Sequence, residues 1–376
     1  MAFASISTDL YLPAMPAMSK ALGASPGAVE WTVSGYLIGF SIGQLFWGPL
    51  ADRIGRRIPV AIGIALFILG SAGCALSGNI WIMIAWRIVQ AVGACASVVL
   101  ARAMVRDLYS GTRASQMLST LTSVMAIAPL VGPFIGGQIL ALAGWRAIFW
   151  LLVIVGAATL AALFKLPETL APERRNHERL GHAFLNYRDL IRDRALLAYI
   201  GLGGFFYAGV YAHIAGTPFA YIEVHHVSPS AYGILFALGI VGIMAMNILN
   251  TRMVTRFRSS QLVYAGGLIT ALSGLALALC AYTGFGGVAG LVIPAVIFVS
   301  ANGLIVANSI SAALANFPLR AGAVSALIGA TQYGFGIFGS ALVGVFADGT
   351  AVPMAAIIAV CGLASLLCAW RVARSR

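Results

Sequence analysis

The stretch Gly48 to Arg57, GPLADRIGRR, decides how the rest of the chain is read. Four charges, Asp52, Arg53, Arg56 and Arg57, stand between two long apolar runs. Upstream, Val29 to Phe46 holds a single charge, Glu30; downstream, Ile58 to Ile84 holds none. A charged turn between two such runs marks a point where the chain leaves a membrane and re-enters it.

Composition carries that reading outward. Of 376 residues 60% are hydrophobic and only 9% charged, against about 25% charged in soluble domains. Backbone polar groups in lipid must be satisfied internally, by helices or by a closed barrel. Barrel strands would be about 10 residues long with alternating polarity. The runs here are about twice that and do not alternate, so the chain is an all-α integral membrane protein. The net charge of +12 lies in loops on one side and does not point to nucleic acid. Five cysteines, scattered in apolar runs without metal spacing, read as small membrane-core residues.

Twelve transmembrane helices are predicted, at 1–18, 29–50, 58–77, 80–103, 114–142, 146–166, 195–222, 229–251, 260–283, 286–314, 320–346 and 350–371. With the N-terminus inside, 19 of the 23 Lys and Arg fall in cytoplasmic segments. The positive-inside rule then places both termini in the cytoplasm. The polar segment 167–194 divides a six-helix half, 1–166, from a second, 195–376, and is expected to carry a surface helix around Ala183 to Arg192. An offset of 203 aligns the halves: Leu50 meets Met253, Arg53 meets Arg256, Ile54 meets Phe257 and Gly136 meets Gly339. In the second copy Gly48 and Asp52 have become Thr251 and Thr255. By the same offset span one is short at its N-terminus, since the counterpart of helix seven would begin about eight residues before Met1.

Gly48 to Arg57 resembles motif A of the major facilitator superfamily, in the loop between spans two and three. Span four, with Arg87, Gln90 and Gly93 in WRIVQAVGACA, is similar to motif B, with Ala91 where the family prefers Gly. Span five carries GPFIGG at 132–137, similar to the antiporter motif C, with Gly132, Pro133, Gly136 and Gly137. STDLYLP at 7–13, ARAMVRDLY at 101–109 and LPET at 166–169 narrow the resemblance to the Bcr/CflA branch, the bicyclomycin and chloramphenicol resistance type of proton-coupled drug exporter. The resemblance covers essentially the whole chain. It implies two six-helix halves, with substrate bound between them near the midplane.

Asp9 is the most expensive residue in the sequence: a carboxylate at a helix centre costs at least ~2.5–3.5 kcal/mol to insert. Intramembrane ionisable groups are functional by default; simple pairing, or an interfacial position in a short span, is the plainer alternative. Arg87 lies at similar depth, and the resemblance places helices one and four side by side, so Asp9 and Arg87 are expected to bias each other's charge and couple transport to protons. Tyr11, Tyr36, Gln90, Tyr211, Asn302 and Asn308 join them as expected cavity-lining residues. Gly48, Asp52, Arg53, Arg56, Arg102 and Arg106 form an expected cytoplasmic gate. Arg102 and Arg106 share a helix face and are expected to reach Asp52, which would also meet the N-terminus of span eleven. Arginines snorkelling at the membrane edge are the alternative. Gly132 and Gly136, at GxxxG spacing, suit close helix packing.

These residues predict an inner-membrane multidrug exporter that exchanges drug-like molecules for protons. It would be driven by the proton motive force without a cofactor, and would act as a monomer in the lipid bilayer. No cluster of His, Ser, Cys or carboxylates stands at one depth, so enzymatic chemistry is not expected. A metabolite exporter or a proton symporter on the same scaffold is the alternative.

Overall fold

The computed structural model describes residues 3–171, 173, 175, 190–317 and 321–374. Among them all regular structure is helical. In chain order the helices are α1 (Phe3–Asp9), a 3₁₀ turn (Leu12–Ala14), α2 (Met15–Leu22), α3 (Pro26–Ile54), α4 (Arg57–Leu76), α5 (Ile80–Leu108), α6 (Gly111–Ala143) and α7 (Trp145–Leu163). They continue with α8 (Arg194–Pro218), which runs on into a π-helical turn (Phe219–Val224), then α9 (Pro229–Met253), α10 (Ser259–Thr283), α11 (Gly287–Ser300), α12 (Asn302–Asn316), α13 (Ala321–Val345) and α14 (Val352–Arg374). Nine helical segments among the described residues are long and apolar enough to cross a membrane. Spans one and two fall short of that measure: span one is broken, and α3 is diluted by polar residues such as Glu30, Thr32 and Gln44. Among the described residues of α6, Ile127–Ala143 is apolar. The surface helix expected around Ala183 lies largely outside the described residues.

Two predicted spans are interrupted. Span one stops at Asp9 and resumes as α2 after the 3₁₀ turn. Pro13 and Pro16 stand at the second positions of the turn and of α2, where each removes a backbone donor that a continuous helix would use. Span ten breaks at Ala301 without a proline at the break. There the Ser300 hydroxyl bonds back to the Val296 carbonyl at 2.6 Å. The Ala301 and Leu304 N–H groups make i→i−3 bonds of 3.2 and 3.0 Å, a local tightening of the helix.

The chain divides into two compact units, Met1–Arg179 with Pro229–Gly233, and Leu180–Ser228 with Ile234–Arg376. In the first, α5 packs along α3 and α4, α4 packs on α7, and α1 packs on α5 and α6. Trp47 stitches α3 to α5 by donating to the Val92 carbonyl at 2.7 Å. In the second, α10 packs on α11, α12 and α14, and α8 packs on α12, α13 and α14. The pairings α4–α7 and α10–α14 are equivalent under the 203-residue offset, as are α1–α6 and α8–α13. Gly136 and Gly339 make the equivalence concrete. A Cβ on Gly136 would collide with the Leu10 carbonyl oxygen, and one on Gly339 with that of Ala208. In both copies glycine lets the fifth helix lie against the backbone of the first.

Candidate functional site

The break in span one creates a polar cluster inside the first unit. Ser7 and Tyr36 share a hydrogen bond through their hydroxyls at 2.7 Å, and Tyr11 and Thr32 do so at 3.0 Å. These two contacts tie the broken helix to α3. They also set the two tyrosine rings around Arg87, whose guanidinium carbon lies 4.2 Å from the Tyr11 ring centre and 4.4 Å from that of Tyr36. Arg87 is fully buried. Its Nη1 donates to the Ser7 carbonyl at 2.9 Å and to Gln90 Oε1 at 2.5 Å. Gln90 in turn donates to Ser71 Oγ at 2.7 Å, and Ser71 donates to the Phe67 carbonyl at 2.7 Å. The chain of bonds therefore runs from α1 through α5 to α4.

A buried cation costs several kcal/mol in lost solvation. Each desolvated ring contact returns about 2 kcal/mol, and each hydrogen bond to the charge about 1.5–3 kcal/mol. Two rings and two carbonyl-type oxygens together can hold the charge inside. Two of its donors, Nε and Nη2, are shut off from water and meet no acceptor among the described residues. These two donors stay unused while the two rings enclose the guanidinium.

Asp9 is 5% exposed and ends α1. Simple pairing with Arg87, the plainer alternative, is not what the fold builds: among the described residues the two make no ion pair, and Arg87 is held by Ser7, Gln90 and the tyrosines. The tyrosine rings occupy the space around the guanidinium. The Cβ of Asp9 instead faces α6, 3.3 Å from where a Cβ on Gly132 would stand. GPFIGG thus forms the wall behind the broken helix, with Gly132 against Asp9 and Gly136 against Leu10. Pro133 and Gly137 are buried on the same helix.

Sequence reasoning missed Ser7, Thr32 and Ser71, whose roles depend on which neighbour each hydroxyl meets. It also passed over Glu30, which is 3% exposed with an Oε2 that meets no partner. The available signal was that Glu30 is the one charge in its apolar run.

At the motif A end, Arg56 is the hub. It bonds Asp52 through Nη1 at 2.5 Å and Asp107 through Nε at 2.8 Å. Thr169 Oγ1 donates to the same Asp107 oxygen at 3.4 Å. The expected reach of Arg102 and Arg106 to Asp52 is corrected: both are exposed, and Asp52 is held by Arg56, one helical turn along. Arg53 is exposed, and Gly48 has open space where a Cβ would stand. Glu168 of LPET closes the cluster. Its carboxylate accepts the backbone N–H groups of Arg56 at 2.8 Å, Arg57 at 3.1 Å, Thr169 at 2.9 Å and Leu170 at 3.0 Å. Partial burial pushes its pKa up, but these four donors outweigh that and hold it below the ordinary carboxylate range. The expected contact of Asp52 with the start of span eleven involves residues 318–320, outside those described.

In the second unit Tyr211 and Asn302 both adjoin Tyr207, while Asn308 stands apart. Tyr211 stands in a row of rings, 6.3 Å from Tyr207 and 6.2 Å from Tyr333. Asn302 is half-buried beside the break at Ala301. Asn308 is buried and spends its amide donors on Asn250 at 2.8 Å and the Leu304 carbonyl at 2.9 Å, so it joins α9 to α12 rather than facing a cavity. His213, stacked 6.1 Å from Phe236, is buried with a free Nδ1.

The family model described as Major Facilitator Superfamily matches residues 1–341. A Bacillus subtilis protein named an uncharacterized MFS-type transporter, YdgK, is 36% identical over 94% of this chain and 88% of its own. A Haemophilus influenzae protein named a bicyclomycin resistance protein homolog is 32% identical over 96% of this chain and 90% of its own. Among solved structures, the xylose transporter XylE from E. coli superposes with a TM-score of 0.76 at 16% identity, covering 98% of this chain and 94% of the other, a likeness of fold alone.

Proposed function

Because the chain belongs to the Major Facilitator Superfamily, a family of multi-pass membrane transporters of small molecules, we propose that it exports drug-like compounds in exchange for protons. The name of the bicyclomycin-resistance relative supports the choice of substrate class. The observation that carries the proton role is Asp9, a buried carboxyl at the end of an interrupted membrane helix, backed by the glycines of the antiporter motif. Interrupted helices supply ion and substrate sites in transporters because their free backbone groups and side chains converge where the helix stops.

In this reading a proton entering from outside neutralises Asp9. Drug release and proton binding then alternate at one place, and proton loss to the cytoplasm restores drug affinity. Arg87 acts on this step through Ser7, whose carbonyl it grips two residues before Asp9. Its free Nε and Nη2 offer hydrogen bonds to a carbonyl or hydroxyl oxygen of the drug. Each proton moving inward carries ~2.3 kcal/mol per 100 mV of membrane potential.

The excess of Lys and Arg on one side supports an inner-membrane orientation with both termini cytoplasmic. The halves 1–166 and 195–376, joined by 167–194, act as the two moving bodies. The working unit is a monomer, it uses no cofactor, and it performs no enzymatic step. The test is a proton-flux assay in sealed vesicles with an acidic lumen. Adding an exported drug should release lumenal protons; drug uptake that carries protons in the same direction as the drug would instead mean symport.

A further inference from the structure

One cavity is unused by this mechanism. It lies in the first unit where α4 begins and α7 ends, and has a volume of about 460 Å³. Its lining combines apolar Ile54, Ile58, Ala61, Leu163 and Phe164 with Arg57 and Arg175. Arg57 is anchored, donating through Nη2 to the Phe164 carbonyl at 2.7 Å, with its guanidinium carbon 5.9 Å from the Phe164 ring. The Nε of Arg175 is closed off from water and meets no acceptor among the described residues. Glu168 also borders the cavity, but its oxygens already take four backbone N–H groups, and it forms no ion pair with Arg175 among the described residues.

An unsatisfied guanidinium donor calls for an anionic oxygen. The apolar lining calls for something more. Ile58 and Phe164 are 56% and 64% exposed, and Ile62, one turn further along α4, is 45% exposed. An apolar strip therefore leaves the cavity along a membrane helix. A free anion has no use for such a strip, whereas a phospholipid joins a phosphate to acyl chains.

The equivalent place in the second unit sharpens the choice. At the start of α10 a cavity of about 500 Å³ is lined by Arg258, Ser260, Gln261, Tyr264 and Ala373. Under the 203-residue offset, Ser260 and Gln261 replace Arg57 and Ile58. The second copy has lost both the anchored guanidinium and the start of the apolar strip.

We infer that the cavity at Arg57 and Arg175 is a binding site for an anionic phospholipid, its phosphate against the two guanidinium groups and a chain along α4. The inference does not depend on what the protein exports. It is tested by native mass spectrometry of the full chain in detergent with phosphatidylglycerol or phosphatidylcholine. The wild type should retain phosphatidylglycerol at least tenfold better. Arg175→Gln, which disturbs no hydrogen bond seen here, should remove that preference, whereas Arg258→Gln at the second cavity should keep it. Equal retention of both lipids, a preference that survives Arg175→Gln or is lost equally in Arg258→Gln, or displacement of the lipid by millimolar inorganic phosphate would overturn the proposal.

Discussion

The two interrupted helices of this protein stand in opposite chemistry. In the first unit the interruption follows Asp9 and faces a buried arginine caged by two tyrosines. In the second it falls at Ala301, beside Asn302, close to apolar and aromatic side chains. The repeat makes the contrast quantitative by position. Under the 203-residue offset Asp9 becomes Ala212, Arg87 becomes Gly290 and Gln90 becomes Ile293. The helix pairings are kept while the charges are not. One copy of the repeat has specialised in holding charge within the membrane. The other presents the ring row Tyr207, Tyr211 and Tyr333, a surface suited to flat apolar molecules.

The largest effect should come from Arg87. Arg87→Ala leaves Gln90 and the Ser7 carbonyl without their donor and empties the tyrosine cage. Drug resistance conferred on a sensitive host should fall at least tenfold, and the pH dependence of drug binding should shift. Tyr211→Ala in the second unit should cost only a few-fold and leave the pH profile in place. Equal losses, or an unchanged profile in Arg87→Ala, would break the contrast between the two copies.

Next come the glycines that the copies share. Gly136→Val and Gly339→Val each drive a side chain into a backbone carbonyl, of Leu10 and of Ala208. Overpacking of this kind costs about 1–3 kcal/mol. Thermal unfolding in detergent should show comparable destabilisation for both. A large loss in one and none in the other would mean that the repeat is not kept at the fifth helices.

The smallest effect belongs to Glu168. Its pKa is held below the ordinary value, so its contribution to stability is present in full at neutral pH, above the unfolded value. It is lost as pH falls through the lowered folded value. Glu168→Gln should therefore lower the Tm slightly at pH 7, and the difference should begin to shrink as pH falls below the free carboxylate range, about 4.3, and vanish only below the lowered folded value. A difference that grows on acidification would contradict the capping role.

Much of this was legible from sequence because apolar runs and charged turns report membrane crossings directly. The helices of the second to ninth spans begin and end within several residues of the predicted ends, save that α3 and α5 run on beyond them. The interruption after Asp9 was present in the text as Pro13 and Pro16, yet the apolar run read straight through it. The interruption at Ala301 carries no such mark, since Ser300 and tight local turns produce it. Asp9, Arg87, Tyr11, Tyr36 and Gln90 stand out by residue type, but their partners do not. Arg87 and Asp9 read as two charges at similar depth, while the tyrosine cage that holds Arg87 is invisible in one dimension. At the motif A end the partner of Asp52 lay four residues away as Arg56, while longer-range Arg102 and Arg106 had seemed the better match. The role of Glu168 required seeing which backbone N–H groups LPET comes to rest on.

The central claim is that Asp9 carries the proton that drives export. It is tested most directly with Asp9→Asn reconstituted in sealed vesicles, following drug-induced release of lumenal protons and drug exchange without a gradient. The account predicts that the variant inserts normally and still exchanges drug down its gradient, but releases no protons and gains nothing from an imposed pH difference. Proton release at the wild-type rate in Asp9→Asn would contradict it.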